Sequence, residues 1–158
     1  MRNLKTTCLG CLLAVALSLP ASARAEAIEI APAADRERAQ ALGAYGPVKS
    51  QGIAAAEVMG SMPLDADFPA LEGYVMRARR ITVLPGGVVG VHQHAGRPGV
   101  LYMLEGEMSE IRSDQAQPNN WSAGEMTFES HGTIHWWRND GETSSVAFVV
   151  DIVPADPQ

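Results

Sequence analysis

Three histidines have the residue type and spacing of a metal site. His92 and His94 are two residues apart in a strand-like segment, so both imidazoles should point to one face. His135 lies in a second strand-like segment, just past a glycine turn. Such a set suits iron(II), zinc, copper or nickel, whereas manganese prefers oxygen ligands. The sequence predicts that His92, His94 and His135 bind one divalent transition ion; the alternative is hydrogen-bonded histidines without a metal.

The segments around these histidines predict many short strands separated by turns and little helix. Pro85-Gly86-Gly87 is predicted as a turn, and Gln115–Asn120 as a polar loop. This pattern predicts an all-β fold, either a sandwich or a small barrel. The predicted strands are Gly52–Met62, Gly73–Leu84, Val88–His94, Val100–Leu104, Met108–Arg112, Glu125–Glu129, His135–Arg138 and Ser144–Val153.

Two spaced motifs resemble those of the cupin superfamily, over roughly Leu71–Pro154. The resemblance implies a small double-stranded β-helix, the jelly-roll barrel of cupins, and it implies a homodimer. The first motif is Gly86, His92-Gln93-His94 and Gly106, and the second is Gly124, Ser130, Gly132, His135 and Asn139.

The chain departs from the family pattern at two positions. Ser130 stands where a proline is usual, which is a mild change because serine is itself a common turn residue. Gly99 stands where the family usually has a glutamate ligand. Glu129 or Glu125 could supply a carboxylate from another strand, although a solvated charge at the rim is the default for Glu129. Three neutral imidazoles leave a divalent ion with a charge of roughly +2, which favours anionic ligands.

The resemblance implies a pocket for a small, anionic molecule. Three-histidine cupins include thiol and diketone dioxygenases, so an iron(II) dioxygenase is the first expectation. A lyase or isomerase would instead use the metal as a Lewis acid and would need a general base. The candidates for that base are Tyr102, His131 and Glu129. The alternative function is a non-catalytic cupin module that binds or senses a small ligand or the metal.

Three further residues are candidates for the substrate pocket. Met103 shares strand parity with Gly99 and is predicted to point inward. Trp137 shares a face with His135 and would form a wall beside the metal. Arg97 lies in a loop at the expected barrel mouth and could bind a carboxylate, although a free surface arginine is its default.

The N-terminal segment is predicted to be a secretion signal. Arg2 and Lys5 precede an apolar run of about 12 residues, too short to span a bilayer core that needs roughly 20. Residues 1–25 are therefore assigned to a signal peptide, which predicts a periplasmic or secreted protein with no stable membrane insertion after cleavage. Cys8 and Cys11 would leave with the signal, which excludes thiol chemistry in the mature chain.

The remaining sequence is divided into an arm and one domain. Residues 26–51 form an N-terminal arm or short helix, for which Asp35 is the expected cap and Gly43 the expected stop signal. Residues 52–158 form the barrel. The chain has 158 residues and a net charge of −6, which fits a single domain and argues against nucleic acid as a partner.

Overall fold

The computed structural model describes residues 27–155, and the predicted signal peptide lies outside them. Within that range no helix is long and apolar enough to cross a membrane. The elements are α1 (Ala33–Ala41), β1 (Gln51–Pro63), a 3-10 turn (Pro69–Leu71), β2 (Tyr74–Gln93), β3 (Gly99–Glu105), β4 (Glu107–Arg112), β5 (Asn119–Ser122), β6 (Met126–Glu129), β7 (Ile134–Arg138) and β8 (Ser145–Pro154).

The strands form one eight-stranded antiparallel sheet that is nearly closed into a barrel. Its order is β5-β4-β7-β2-β8-β3-β6, and β1 adds to β2. The 20-residue β2 is the central element, because its first half pairs with β1 and β8 and its last residues pair with β7. The prediction of an all-β cupin-type barrel is confirmed.

Alternating side chains of the strands fill the barrel with an apolar core. This core is formed by nine buried residues: Ile81, Val83, Val89, Leu101, Met103, Met108, Trp137, Ala147 and Val149. Removal of apolar surface from water is the main stabilising contribution of such a core. The ring of His135 lies against that of Trp137, so the core forms part of the wall beside the histidines.

Two elements differ from the sequence prediction. The predicted turn at Pro85-Gly86-Gly87 lies inside the continuous β2, where Gly86 has a positive φ of 72°. The strand continues because the backbone of Gly86 and Gly87 hydrogen-bonds to Asn139 after β7. The polar loop ends earlier than predicted, since β5 begins at Asn119 and pairs with β4.

The N-terminal arm, residues 27–50, packs against the barrel and contains α1. The expected Asp35 cap is wrong: Pro32 precedes the helix, and no side-chain hydrogen bond caps its first turn in the described structure. The Asp35 carboxylate instead accepts hydrogen bonds from barrel residues described below. Gly43 follows the helix end with a φ of 74°, in agreement with its role as a stop signal.

A bulge in β2 sets the direction of the histidine side chains. Val89 pairs with Trp137 and His92 pairs with His135, so two residues of β2, Gly90 and Val91, lie opposite Trp136 of β7. Val89, Trp137 and His135 all face inward. The extra residue therefore brings His92 to the inner face as well. Residues of the arm cover the outer side of the bulge, where Val91 N donates to Pro47 O and Gly90 N to Ser50 Oγ.

Candidate metal centre

The three predicted histidines lie together inside the barrel. His92 of β2 pairs with His135 of β7, and His94 follows directly after β2. Their Nε2 atoms are 3.0 Å apart for His92 and His94, 3.1 Å for His94 and His135, and 3.2 Å for His92 and His135. All three side chains are buried. The structure therefore brings together a group that could hold a metal ion.

Each imidazole is oriented through its Nδ1 atom. His92 donates from Nδ1 to the Gly90 carbonyl oxygen at 2.8 Å, and His94 to the Arg97 carbonyl oxygen at 3.0 Å. His135 Nδ1 donates to Glu110 Oε1 at 2.7 Å. Carbonyl oxygens only accept, so the proton lies on Nδ1 and the lone pair on Nε2.

The three Nε2 lone pairs converge on one point. Lone pairs within 3.2 Å of one another repel unless a cation lies among them. Bonds of roughly 2.0–2.2 Å from nitrogen to one ion require about this spacing, so the residues fit a divalent transition ion. Burial first, and then the neighbouring His135 and His94, lower the pKa of His92 well below its usual value. Burial and Arg97 lower the pKa of His94 to about 2, so both rings are neutral near pH 7.

Glu110 of β4 supports the site from behind, and sequence reasoning missed it. It is fully buried, and its other oxygen, Oε2, accepts from Trp121 Nε1 at 3.0 Å. Burial alone would raise the pKa of Glu110, but its hydrogen bonds to His135 and Trp121 outweigh burial and lower it. Glu110 is thus a carboxylate that fixes the orientation of His135, as outer partners of metal-bound histidines do. An acidic residue between Ser109 and Ile111, inside a predicted strand, was the available signal.

A carboxylate does reach the histidines, and it comes from β6. Glu129 Oε2 is 3.5 Å from His94 Nε2, and Glu129 Oε1 is 3.6 Å from His135 Nε2. Its side chain is buried, so the default of a solvated rim charge is wrong. Burial raises the pKa of Glu129, against the opposing effects of His135 and Arg97. Glu125, the other candidate, is exposed and accepts a hydrogen bond from Ser122 N.

Gly99 is not an empty ligand position. In the sheet it pairs with Glu129 on one side and with Asp151 on the other. A Cβ atom at Gly99 would lie 2.9 Å from the Val150 carbonyl oxygen and 3.2 Å from Asp151 Cβ. The space that a longer side chain would need is therefore already filled.

Arg97 is buried beside the site and is not a free surface arginine. Its Nε donates to Asp35 Oδ2 of the arm at 2.7 Å, and its Nη2 lies 3.3 Å from His94 Nε2. Gln93 Nε2 donates to the second Asp35 oxygen at 2.5 Å. Asp35 therefore positions a guanidinium group at the edge of the three-histidine group.

A third buried acid, Asp151 of β8, accepts hydrogen bonds from three arginines. Arg77 donates to both of its oxygens, at 3.1 and 2.9 Å, and Arg79 Nη2 donates to Oδ2 at 2.9 Å. Arg97 Nη1 also donates to Oδ2, at 3.3 Å. Arg77 and Arg79 of β2 are thus paired with an acid of the neighbouring strand β8.

A small cavity adjoins His92 in the barrel. Its volume is about 30 Å³, room for roughly two water molecules. Its wall is mostly apolar, with Trp137 of β7 and Ile30 of the arm among the lining side chains. The polar lining residues are Arg79, His92, Arg97 and Glu129.

The other predicted pocket residues are divided between the inner and outer faces. Trp137 lines the cavity, and its ring centroid is 5.6 Å from that of His135. Met103 points inward as predicted and is fully buried, but it belongs to the core cluster and not to the cavity wall. Tyr102 lies on the outer face of β3, 39% exposed, and His131 is exposed in a turn. Neither of these two side chains reaches the histidines, because strand parity directs Tyr102 outward and the turn directs His131 to solvent.

The fold is a double-stranded β-helix barrel of the cupin type. Residues 79–152 match a family model described as a cupin domain, which is just under half of the chain. Among solved structures, a conserved protein with a double-stranded β-helix domain from Klebsiella pneumoniae aligns with a TM-score of 0.50 and 15% identity. That alignment covers 70% of this chain and 81% of that chain. The matched segment is thus similar to cupin domains, and the solved structure shares the double-stranded β-helix fold.

Two curated plant proteins are similar in sequence. Germin-like protein 1 of Brassica napus is 29% identical over 87 residues, which cover 53% of this chain and 42% of that protein. Auxin-binding protein ABP19b of Prunus persica is 30% identical over 86 residues, which cover 52% of this chain and 41% of that protein. The aligned segment therefore spans less than half the length of these relatives.

Proposed function

We propose that this protein is a metal-dependent cupin that handles a small, anionic molecule. His92, His94 and His135 bind one divalent transition ion, for which iron(II) is the first choice and zinc, copper or nickel are the others. The observation that carries the proposal is the convergence of the Nε2 atoms of the three histidines, which lie within 3.0–3.2 Å of one another. The residues around them then determine what the site can bind.

The charges around the site favour an anion. The three imidazoles are neutral ligands, so they leave the charge of a bound ion unchanged, and Glu129 is the one acid among the described residues within 4 Å of their Nε2 atoms. Arg79 and Arg97 line the adjoining cavity as well, each paired with an acid whose place an anionic ligand could take. A carboxylate is the ligand that guanidinium groups recognise best, through paired N–H donors.

We propose an iron(II) dioxygenase as the reaction class. When bound, iron(II) supplies Lewis acidity and exchange of electrons with dioxygen. Arg79 and Arg97 hold the anionic end of the substrate, and Trp137 with the apolar wall excludes water. Glu129 accepts or returns a proton at its carboxylate oxygens, because its buried carboxyl group has a raised pKa beside the histidines.

The second candidate function is a cupin module that binds a ligand or metal without turnover. The observation that favours it is the size of the cavity, about 30 Å³, which leaves no room for an organic substrate in this conformation. Such a module would bind its metal and a small anion but would not consume oxygen.

The test begins with metal content after purification from the compartment where the protein accumulates. Iron(II)-loaded protein is then assayed for oxygen uptake with small thiols and diketones. Uptake that requires iron supports the dioxygenase, and metal binding without uptake by any of these compounds supports the module. A protein that carries no metal and cannot be loaded would contradict both.

Export and self-association are proposed on other grounds. The proposal of export to the periplasm or medium is supported by the signal-like residues 1–25 alone. The homodimer implied by the family would have an apolar surface available on the outer face of β3 and β6. Its exposed side chains are Tyr102, Leu104, Met126 and Phe128.

A further inference from the structure

The N-terminal arm closes the cavity beside the histidines. Ile30 lines that cavity, and Ala31 after it is buried. The helix that follows buries Ala39 completely. The segment 28–36 is therefore packed onto the barrel at the position where a ligand would meet the cavity residues.

Two arginines that line the cavity hold this segment by hydrogen bonds. Arg79 Nη1 donates to the Ile30 carbonyl oxygen at 2.8 Å, and Arg97 Nε donates to Asp35 Oδ2 at 2.7 Å. Both arginines also donate to Asp151 Oδ2 on their other side. Asp151 thus fixes the two guanidinium groups, and the arm accepts from one further donor of each.

The arm leaves one of these donors unused. Arg79 is buried, yet its Nε has no hydrogen-bond partner among the residues that the structure describes. A buried donor without a partner costs free energy, so an oxygen that could accept from it would bind favourably. A carboxylate has two oxygens, each with two lone pairs, whereas the Ile30 carbonyl supplies one oxygen.

The charge balance of this region also favours a ligand once a metal is bound. Arg77, Arg79 and Arg97 face three acids, Asp35, Glu129 and Asp151. A divalent ion on the neutral histidines adds two positive charges that no side chain of this group compensates. An anion in the cavity restores the balance.

The cavity is so small that part of its wall must move before a ligand can enter. A cavity of about 30 Å³ holds roughly two waters, so even a short carboxylate needs more space. The β-strand walls are tied by ladder hydrogen bonds, but Ile30 is held by the carbonyl contact with Arg79 and by packing. The arm is therefore the part of the cavity wall that can move.

We propose that the segment 28–36 is an internal substitute for the ligand. A small carboxylate accepts the hydrogen bonds that Arg79 now donates to the Ile30 carbonyl and that Arg97 now donates to Asp35. It thereby displaces the segment from the cavity. The ligand's other end then faces the three-histidine site, so the inference rests on the proposed function. The class of ligand is a short mono- or dicarboxylate.

Malonate and zinc(II) are suitable probes, because zinc is not redox-active. Zinc affinity is measured first, by competition with a chelator. Malonate binding to the zinc-loaded full chain is then measured by calorimetry, and amide hydrogen exchange is followed in residues 28–36 and in β4. We expect malonate to speed exchange in residues 28–36 and to leave β4 unchanged.

Two variants separate the arm's role from general charge effects. Asp35→Asn weakens the hold on Arg97, and we expect it to bind malonate about tenfold more tightly. Glu37→Gln removes the same charge from an exposed position of α1 and should bind malonate like the parent. Arg79→Lys keeps the positive charge but loses the paired donors, and we expect at least tenfold weaker malonate binding with unchanged zinc affinity.

The outcomes distinguish this inference from the proposed function. Failure to bind zinc would contradict the three-histidine site itself. If zinc binds but malonate does not, or malonate binds without faster exchange in residues 28–36, the displacement is wrong and the metal site stands. Equal malonate affinity in Asp35→Asn and the parent would also overturn it.

Discussion

Gly99 of β3 lies directly opposite Glu129 of β6, and the Glu129 carboxylate is within 3.5 Å of His94 Nε2. A glycine on one strand and a buried acid on its neighbour thus replace the glutamate that the family usually has at position 99. The acid reaches the histidines from a different direction. The consequences of this exchange can be measured.

The first prediction concerns the metal. His135→Ala should weaken zinc binding by at least about 100-fold, because one of three nitrogen ligands is lost and Glu110 loses its partner. Competition with a chromophoric chelator measures it. His131→Ala is the matched control, since His131 is exposed in the turn before β7, and it should bind zinc like the parent. Equal affinity for His135→Ala and the parent would remove His135 from the ligand set.

The second prediction concerns Glu110. Glu110→Gln should reduce zinc affinity about 10- to 100-fold, because the amide is a weaker acceptor for His135 Nδ1–H than a carboxylate. The amide nitrogen would also face the Trp121 Nε1 donor, which now bonds to Oε2 at 3.0 Å. Glu107→Gln, an exposed change on the same strand, is the control. A Glu110→Gln protein with parental affinity would show that this hydrogen bond does not tune the site.

The third prediction separates two roles of Glu129. Glu129→Gln should keep zinc or iron within a few-fold of the parental affinity, while any iron-dependent oxygen uptake falls about 100-fold, since a proton acceptor is lost. Metal titration and an oxygen electrode give the two readouts. If the metal is lost together with activity, Glu129 is a ligand and not a proton acceptor.

The fourth prediction concerns Gly99. The family pattern suggests that Gly99→Glu would create a manganese-binding carboxylate, but the structure predicts a steric conflict with Val150 and Asp151. We expect a loss of about 1–3 kcal/mol in the free energy of unfolding and no gain in manganese affinity. Urea denaturation measures the first and metal titration the second. Gly60→Glu is the control, because nothing within the described residues lies within 4 Å of a Cβ there. Tighter manganese binding in Gly99→Glu would support the family pattern instead.

The fifth prediction concerns pH and Asp151. Burial works to raise its pKa, but the hydrogen bonds and charges of Arg77, Arg79 and Arg97 outweigh burial and lower it. A depressed carboxyl pKa stabilises the fold above the unfolded value of about 3.9, and the contribution is lost as pH falls through the folded value.

Asp151→Asn should therefore lower the free energy of unfolding by about 3–5 kcal/mol near pH 7, because three arginines lose a buried partner. The difference from the parent should shrink as the pH falls below about 4. Urea denaturation at a series of pH values measures both. A pH-independent difference would show that the ionised form of Asp151 is not what stabilises the cluster.

Local sequence patterns predicted the strands and the three histidines, because both depend on spacing along one segment. The contacts that surround the three histidines were not predictable in this way. The contacts of Glu110 with His135, Asp35 with Arg97 and Asp151 with Arg79 join residues far apart in sequence. They depend on which strands become neighbours, and a single strand pattern does not encode that order.

Errors in the prediction have the same origin. Asp35 precedes a helical pattern and was expected to cap it, but two barrel side chains compete for its carboxylate. Arg97 lies in a loop and was expected to be exposed, yet the arm covers it. In both cases a tertiary contact replaced the local or solvent contact that the sequence favours.

The bulge at Gly90 and Val91 absorbs one extra residue of chain between Val89 and His92. Deletion of one of these two residues would restore regular alternation in β2 and would keep Val89 and His92 on the same, inner face. A regular strand of the present length would instead turn His92 and His94 toward the outside of the barrel. A related barrel with one residue fewer at this point could therefore hold the same three histidines without any bulge.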